Sequence, residues 1–224
     1  MAQLVTLEEA IGKIRNGMTI MVGGFLGCGV PDQLLEAVCH KEARELTIIA
    51  NDTGILGDAM SQLIIKRCAS KVVATHIGTN KETGRQMTAG ELEVKLVPQG
   101  TLIEQIRAAG SGLGGILTPT GIGTVIEKGK QKLVVNSTEY LLELPIRADI
   151  ALLNAYKGDK TGNLVYRRSA RNFNPIIAMA ADIIIAQVDY IVEDGEIDPD
   201  EVMTPGIFVD YLVQKQPREV PNVG

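Results

Sequence analysis

The sequence predicts an α/β protein built on a single open, mostly parallel sheet flanked by helices, and three observations carry that reading. Short β-branched runs alternate with helical patterns along the chain, the order that gives parallel strands joined by crossovers. Runs such as Ile150–Leu153 and Asp182–Val188 are apolar enough to be buried strands. Between an apolar strand and a helix, a turn holds Gly23, Gly24, Gly27 and Gly29 and closes on Pro31.

Leu7–Ile14 has helical spacing, and Thr19–Val22 is a short apolar strand. Pro31 and Asp32 suit the first turn of a helix over Asp32–Cys39: proline lacks an N–H that would be unpaired there, and the aspartate charge favours a helix N-terminus. Leu46–Ala50 is a β-branched run ending at Asn51, Leu63–Cys68 is helical, and Lys71–Thr75 and Leu92–Leu96 are strands. Thr101–Arg107 forms a helix. Gly110–Gly115 and Thr118–Gly123 together make a long irregular region, uncharged from Ala108 to Ile126. Lys132–Val135 and Glu139–Glu143 are strands joined at Asn136-Ser137, and Ile150–Leu153 and Asp182–Val188 complete the sheet. No repeat or linker divides the chain, so 1–212 is expected to be one domain and 213–224 a polar tail.

Composition removes whole classes of function. A chain of 224 residues with 45% hydrophobic content buries a substantial core. Its net charge of −5, with lysine and arginine scattered, offers no field for a phosphate backbone, so no nucleic acid is expected. The longest apolar runs are broken by Asp182 and fall short of the roughly twenty residues of a membrane span. Met1–Thr6 has no basic head or apolar signal core, which points to a soluble, cytoplasmic protein with no membrane partner.

Cys28, Cys39 and Cys68 are odd in number and widely spaced, which indicates neither a disulfide framework nor a zinc site. Cys28 as a nucleophile would need a base, and only His40 and His76 are available, so it is read as a small packed side chain. Both histidines are read as hydrogen-bonded structural residues, because no second ligand stands at metal spacing; no metal is expected. Glu139 and Glu143, four apart in a strand, give no support for paired-carboxylate chemistry.

Glycine lets backbone take positive φ and lie directly on a ligand, and a strand-to-helix turn is where α/β proteins aim N–H groups. Phe25 adds an apolar surface in the middle of the turn. Asn51, at the carboxyl end of a strand, is placed to donate to a substrate carboxylate, with an ordinary Asx-turn through Asp52 and Thr53 as the alternative. Arg171, Asn172 and Asn174 form a polar loop facing either the site or a partner.

At the level of exact spacing the turn says more. Asn16-Gly17, two residues, three apolar residues, Gly23-Gly24-Phe25, three residues, Gly29, one residue and Pro31 resembles the signature of the alpha subunit of family I CoA-transferases. Ala50–Gly54, His76–Asn80, Val97–Glu104, Ala109–Gly115, Leu117–Gly121 and Ala170–Pro175 agree with the same family, so the likeness spans nearly the whole chain. It looks most like members that use short-chain acyl groups, with acetyl-CoA or butyryl-CoA and acetoacetate as the implied substrates.

The resemblance implies the CoA-transferase fold, shared in outline with sugar isomerases, and CoA transfer between an acyl-CoA and a carboxylate by a ping-pong route through a glutamyl-CoA thioester. It implies Gln99 as the side chain that stabilises the oxyanion, and Gly23, Gly24, Phe25, Leu26, Gly27, Cys28 and Gly29 as the CoA-binding segment. Coenzyme A is then a substrate moiety, with no tightly bound cofactor. The family's nucleophilic glutamate lies in the beta subunit, in Glu-x-Gly-x-x-Gly. Here Glu82, Glu127 and Glu193 each open Glu-x-Gly, but Met87, Lys132 and Asp198 stand where the last glycine belongs. The implied partner is therefore a beta subunit carrying the glutamate, in an α2β2 assembly.

Rival readings remain. A dinucleotide-binding oxidoreductase would use the turn and Asp52, 23 residues beyond Gly29, but Gly24, Gly27 and Gly29 read G-x-x-G-x-G, the reverse of the usual order. A sugar-phosphate isomerase of the same broad fold would want a cation beside the turn, and Ile20–Asp32 has none. A non-catalytic subunit also fits a chain without its own nucleophile.

Overall fold

Period-2 alternation within the strands decides the architecture, because it gives the sheet two apolar faces that must both be covered. The computed structural model describes residues 1–217. The chain runs β1 (Gln3–Leu4), α1 (Leu7–Gly12), β2 (Thr19–Val22), α2 (Asp32–His40), β3 (Leu46–Ile49), α3 (Ala59–Ile65), β4 (Ala69–Ala74), α4 (Lys81–Thr88), β5 (Glu93–Leu96) and α5 (Gln99–Gly110). It continues through β6 (Ile116–Thr118), β7 (Lys132–Val135), β8 (Thr138–Glu143), β9 (Ala148–Asp159), β10 (Leu164–Val165), α6 (Asn174–Ile177), β11 (Ala181–Val192) and β12 (Tyr211–Gln214).

The main sheet has the order β1-β12-β11-β9-β2-β3-β4-β5, parallel throughout, with β10 antiparallel on β9. Ile20, Val22, Ile48, Val72, Ile150 and Leu152 point to one face, where α1, α2 and α3 contribute Ile11, Leu34, Leu35 and Leu63. Met21, Ile49, Val73, Ala151 and Leu153 point to the other, under α5 and α6 with Leu102, Ile106 and Ile177. From β2 the chain builds outward through β3, β4 and β5, whereas β9 leads the opposite way through β11 and β12. The carboxyl end of β2 is therefore a topological switch point, where open α/β sheets leave a crevice. The glycine turn begins there.

Helix starts follow the caps. Thr6 and Glu9 form a reciprocal capping box on α1, with Glu9 N–H donating to Thr6 Oγ1 at 3.2 Å and Thr6 N–H to Glu9 Oε2 at 2.8 Å. Asp58 accepts from Ser61 N–H at 2.7 Å, so α3 begins at Ala59 rather than Leu63. No helix is expected over α4, because its core-facing residues are Thr83 and Gln86 and hydrophobic periodicity is absent. Gln86 Nε2 instead donates to Ile64 O at 2.9 Å.

Two expectations are corrected. The glycine-rich region after Ala108 is not wholly irregular: Ile116–Thr118 pairs with β8, giving a second, antiparallel sheet in the order β6-β8-β7. Main-chain pairing to β8 recruits a strand too short to show a period of its own. Behind it Glu143, buried, pairs with Lys130 and accepts from Gln105 Nε2 at 3.1 Å. The polar tail does not start at 213. Val213 is buried in β12, and Lys215 N–H donates to Val188 O at 2.8 Å, so the sheet claims these residues despite their polar neighbours. Residues 218–224 lie outside the described residues. No described helix is long and apolar enough to cross a membrane.

Leu152 is fully buried in β9 between β2 and β11. Leu152→Ala is expected to cost about 2–5 kcal/mol, read as a lower urea midpoint at unchanged slope.

Candidate active site

Three strand ends converge at the carboxyl edge of the sheet. Asn51 and Asp52 follow β3, Thr75 follows β4, and Gln99 opens α5 directly after β5. Asn51 is anchored through its main chain, its carbonyl accepting from Thr75 N–H at 2.9 Å and His76 N–H at 3.2 Å. Its Oδ1 accepts from Gln99 Nε2 at 2.7 Å, and the Thr75 hydroxyl lies 3.1 Å from the same atom. Gln99 thus reaches over the end of β4 to meet Asn51. The site pairing of Gln99 with Asn51 joins two residues the sequence marks separately.

The carboxylate of Asp52, buried beside them, accepts from Asn51 Nδ2, Leu26 N–H and Gly54 N–H, each at 2.8 Å. The bond to Gly54 closes an Asx-turn one residue later than the one the sequence offers at Asn51, and the other two bonds reach outside it. Asn80 Nδ2 donates to Thr53 O at 2.9 Å and Thr79 Oγ1 to Gly54 O at 2.8 Å, tying this loop to the next.

The glycine turn differs from the N–H cradle that its composition predicts. Gly23 N–H donates to Leu152 O at 3.0 Å, Gly24 N–H to Asn172 Oδ1 at 3.1 Å and Leu26 N–H to Asp52. Phe25 and Cys28 bond each other reciprocally at 3.0 Å around Leu26 and Gly27, which both have positive φ, the pattern of a two-residue I′ hairpin. Five N–H groups are therefore already used, leaving Gly27 and Gly29 among the described residues. What the turn offers outward is the half-exposed pair Phe25 and Leu26, the latter held at φ 45°. A leucine there is strained.

Asn172 and Asn174 face the turn and hold it. Asn172 Nδ2 donates to Cys28 O at 2.9 Å. Asn174, fully buried, accepts from Asn154 N–H at 3.0 Å and donates to Gly29 O at 3.0 Å and Ala170 O at 2.9 Å. Arg171 points elsewhere, with Arg107 and Arg168 around an open cavity of about 600 Å³ floored by Ile176, Met179 and Phe208.

Two side chains depart from expectation. Cys28 is exposed at the hairpin, its Sγ 3.3 Å from Ser169 Oγ, rather than packed inside. His76 is exposed and its ring makes no hydrogen bond among the described residues; only its backbone is structural, pairing with Asp52. The other two thiols are buried together, where their mutual hydrogen bond holds Cys68 down to about 7 and pushes Cys39 up.

A model of the coenzyme A transferase family matches residues 4–215. The chain belongs to this family. It is 55% identical over 214 residues to the acetate CoA-transferase subunit alpha of Escherichia coli, covering 96% of this chain and 97% of that one. It is 44% identical to the acetoacetyl-CoA:acetate/butyrate CoA transferase alpha subunit of Clostridium acetobutylicum, covering 96% and 98%. Among solved structures, glutaconate coenzyme A-transferase from Acidaminococcus fermentans superposes with a TM-score of 0.84 at 19% identity, over 95% of this chain and 75% of that one. An acyl-CoA transferase from Escherichia coli O157:H7, solved as a thioester complex with CoA, gives 0.86 at 23%, over 96% of this chain and 47% of that one. This chain spans about half of that protein, and both superpositions speak for the fold. Membership in a CoA-transferase family displaces the dinucleotide and sugar-phosphate readings.

An ideal Cβ on Gly23 would lie 1.9 Å from Asn174 Oδ1. Gly23→Ala is expected to cost about 1–3 kcal/mol by overpacking. Adding Asn174→Ala removes the clash, so the double variant should lose less in urea titration than the sum of the singles.

Proposed function

We propose that this chain is the alpha half of a heteromeric CoA-transferase moving CoA between a short-chain acyl-CoA, such as acetyl- or butyryl-CoA, and a carboxylate such as acetoacetate. The observation that carries the reading is the amide pair Gln99–Asn51. Each NH₂ spends one hydrogen inside the protein, on Asn51 Oδ1 and Asp52 respectively, and has a second to give. Two neutral N–H donors at a strand edge suit a developing oxyanion, and, unlike a lysine, they do not neutralise a nearby carboxylate nucleophile.

In the reaction a glutamate carboxylate of the partner attacks the thioester carbonyl, and collapse of the tetrahedral oxyanion expels CoA thiolate and leaves an acyl-glutamyl anhydride. The thiolate attacks the glutamyl carbonyl, releasing the first carboxylate and leaving a glutamyl-CoA thioester. The acceptor acid then runs both steps in reverse. Every step passes through an oxyanion that Gln99, aided by Asn51, would receive. The anhydride must be kept from water. Phe25 and Leu26 on the turn and Ile55 and Leu56 on the next loop are 40%, 42%, 51% and 63% exposed, an apolar rim suited to closure by a partner. The segment Gly23–Gly29 then serves as an apolar wall for the acyl-CoA, with the Gly27 and Gly29 N–H groups as its polar contacts. The beta subunit, bearing the glutamate in an α2β2 complex, is the proposed partner; the names "subunit alpha" and "alpha subunit" among the relatives support it.

Incubated with acyl-CoA, the assembled enzyme should show a CoA adduct by intact mass on the partner subunit; an adduct on this chain overturns the division of labour. Gln99→Ala should lower kcat by roughly two to three decades with assembly intact, as loss of an oxyanion donor does, and wild-type turnover would remove Gln99 from the reaction.

A further inference from the structure

Gln99 and Asn51 are primary amides, and an amide can be turned over to exchange its donor and acceptor ends at little steric cost. An oxyanion site made of two such groups works only if something decides which end faces where. Thr75 narrows the choice little, since its hydroxyl also has the Asn51 carbonyl within 2.8 Å. A group that only accepts would settle it.

We propose that Asp52 is that group: a positioning residue whose carboxylate sets the orientation of both amides while touching no reacting atom. A carboxylate Oδ2 has only lone pairs to offer, so the Asn51 atom 2.8 Å from it must be Nδ2. Asn51 Oδ1 then faces Gln99, and the Gln99 atom 2.7 Å away must be Nε2. One acceptor thus fixes two amides in series, from the buried Asn51 to the exposed Gln99, and leaves each a second hydrogen unspent among the described residues. Asp52 does this from a buried position with no cation bonded to it among the described residues; its bonded partners there are N–H donors. The same Oδ2 takes the Leu26 N–H, so the strained tip of the glycine turn and the amide pair are registered on one atom. An ordinary Asx-turn needs only the Gly54 bond on Oδ1, and the load on Oδ2 is unexplained by it.

The inference rests on the proposed role of Gln99, and the test separates the two. Asp52→Ser keeps a hydroxyl for Gly54 N–H but withdraws the acceptor from Asn51 and Leu26. Asp52→Asn keeps the shape but sets an NH₂ against at least one N–H. Both are prepared in wild-type and Gln99→Ala backgrounds and assembled with the partner subunit. Gel filtration and melting temperature are measured first, so that either aspartate variant replaces the other if one fails to assemble.

In the wild-type background each Asp52 variant should lower kcat roughly 10- to 100-fold, with the acyl-CoA KM moving less than about threefold, a coupling typical of hydrogen-bonded neighbours. In the Gln99→Ala background the same change should cost less than about threefold, because the exposed amide at the end of the series is gone and only the buried Asn51 amide is left to aim. Equal losses in both backgrounds, tracking the melting temperature, would make Asp52 a purely structural residue and overturn the proposal. Wild-type turnover by Gln99→Ala itself would instead overturn the oxyanion reading on which the proposal rests.

Discussion

The carboxyl edge of the sheet is referred to one buried side chain, Asn174. Its carboxamide accepts from β9 through the Asn154 N–H and donates to the far limb of the glycine turn and to the loop before α6. A buried amide left half-bonded would cost about 1–3 kcal/mol, and this one is matched at both ends. It also occupies the space a side chain on residue 23 would need, which is why a glycine follows β2 at that point. The four glycines therefore answer to two demands: close packing of Gly23 on Asn174, Gly24 on Val30 and Gly29 on Ala170, and positive φ at Gly24, Gly27 and Gly29.

A turn held so firmly is a wall rather than a gripping loop. Its N–H groups are mostly committed inward, to Leu152, Asn172, Asp52 and each other, and its apolar tip faces out. The amides of Asn51 and Gln99 stand to the other side, at strand ends one and three places along the sheet.

Much of the architecture was legible because burial on both sheet faces leaves β-branched runs with helices between them, and such runs survive in a single sequence. Strand ends at Asn51 and Gln99 were legible for the same reason. What the chain's pattern could not reveal was which groups those residues meet. Leu26 is 26 residues from Asp52, Gln99 is 48 from Asn51 and Gly24 is 148 from Asn172. No local spacing encodes such pairs, so Gly23 and Gly24, which look free to bind a ligand, were in fact already bonded. Asp52 was visible as a turn residue or as the acid of a dinucleotide fold, although a β-branched run ending in Asn-Asp marks two polar groups at a sheet edge. α4 and β6 were hidden differently, one by a polar inner face and the other by its brevity.

The pairing of β1 with β12 has a consequence for how the molecule comes into being. Gln3 and Leu4 add to the sheet beside Tyr211 and Leu212, and β2, formed early in the chain, has one neighbour in β3 and the other in β9 about 130 residues later. During synthesis β2 to β5 can assemble only as a half-sheet with β2 as a raw edge, and β1 has nothing to pair with until β12 has emerged. Loop closure over such spans is entropically costly and makes folding slow. The exposed edge of β2 in that interval is an aggregation hazard, and the nascent chain is most in need of shielding between the emergence of β5 and that of β9.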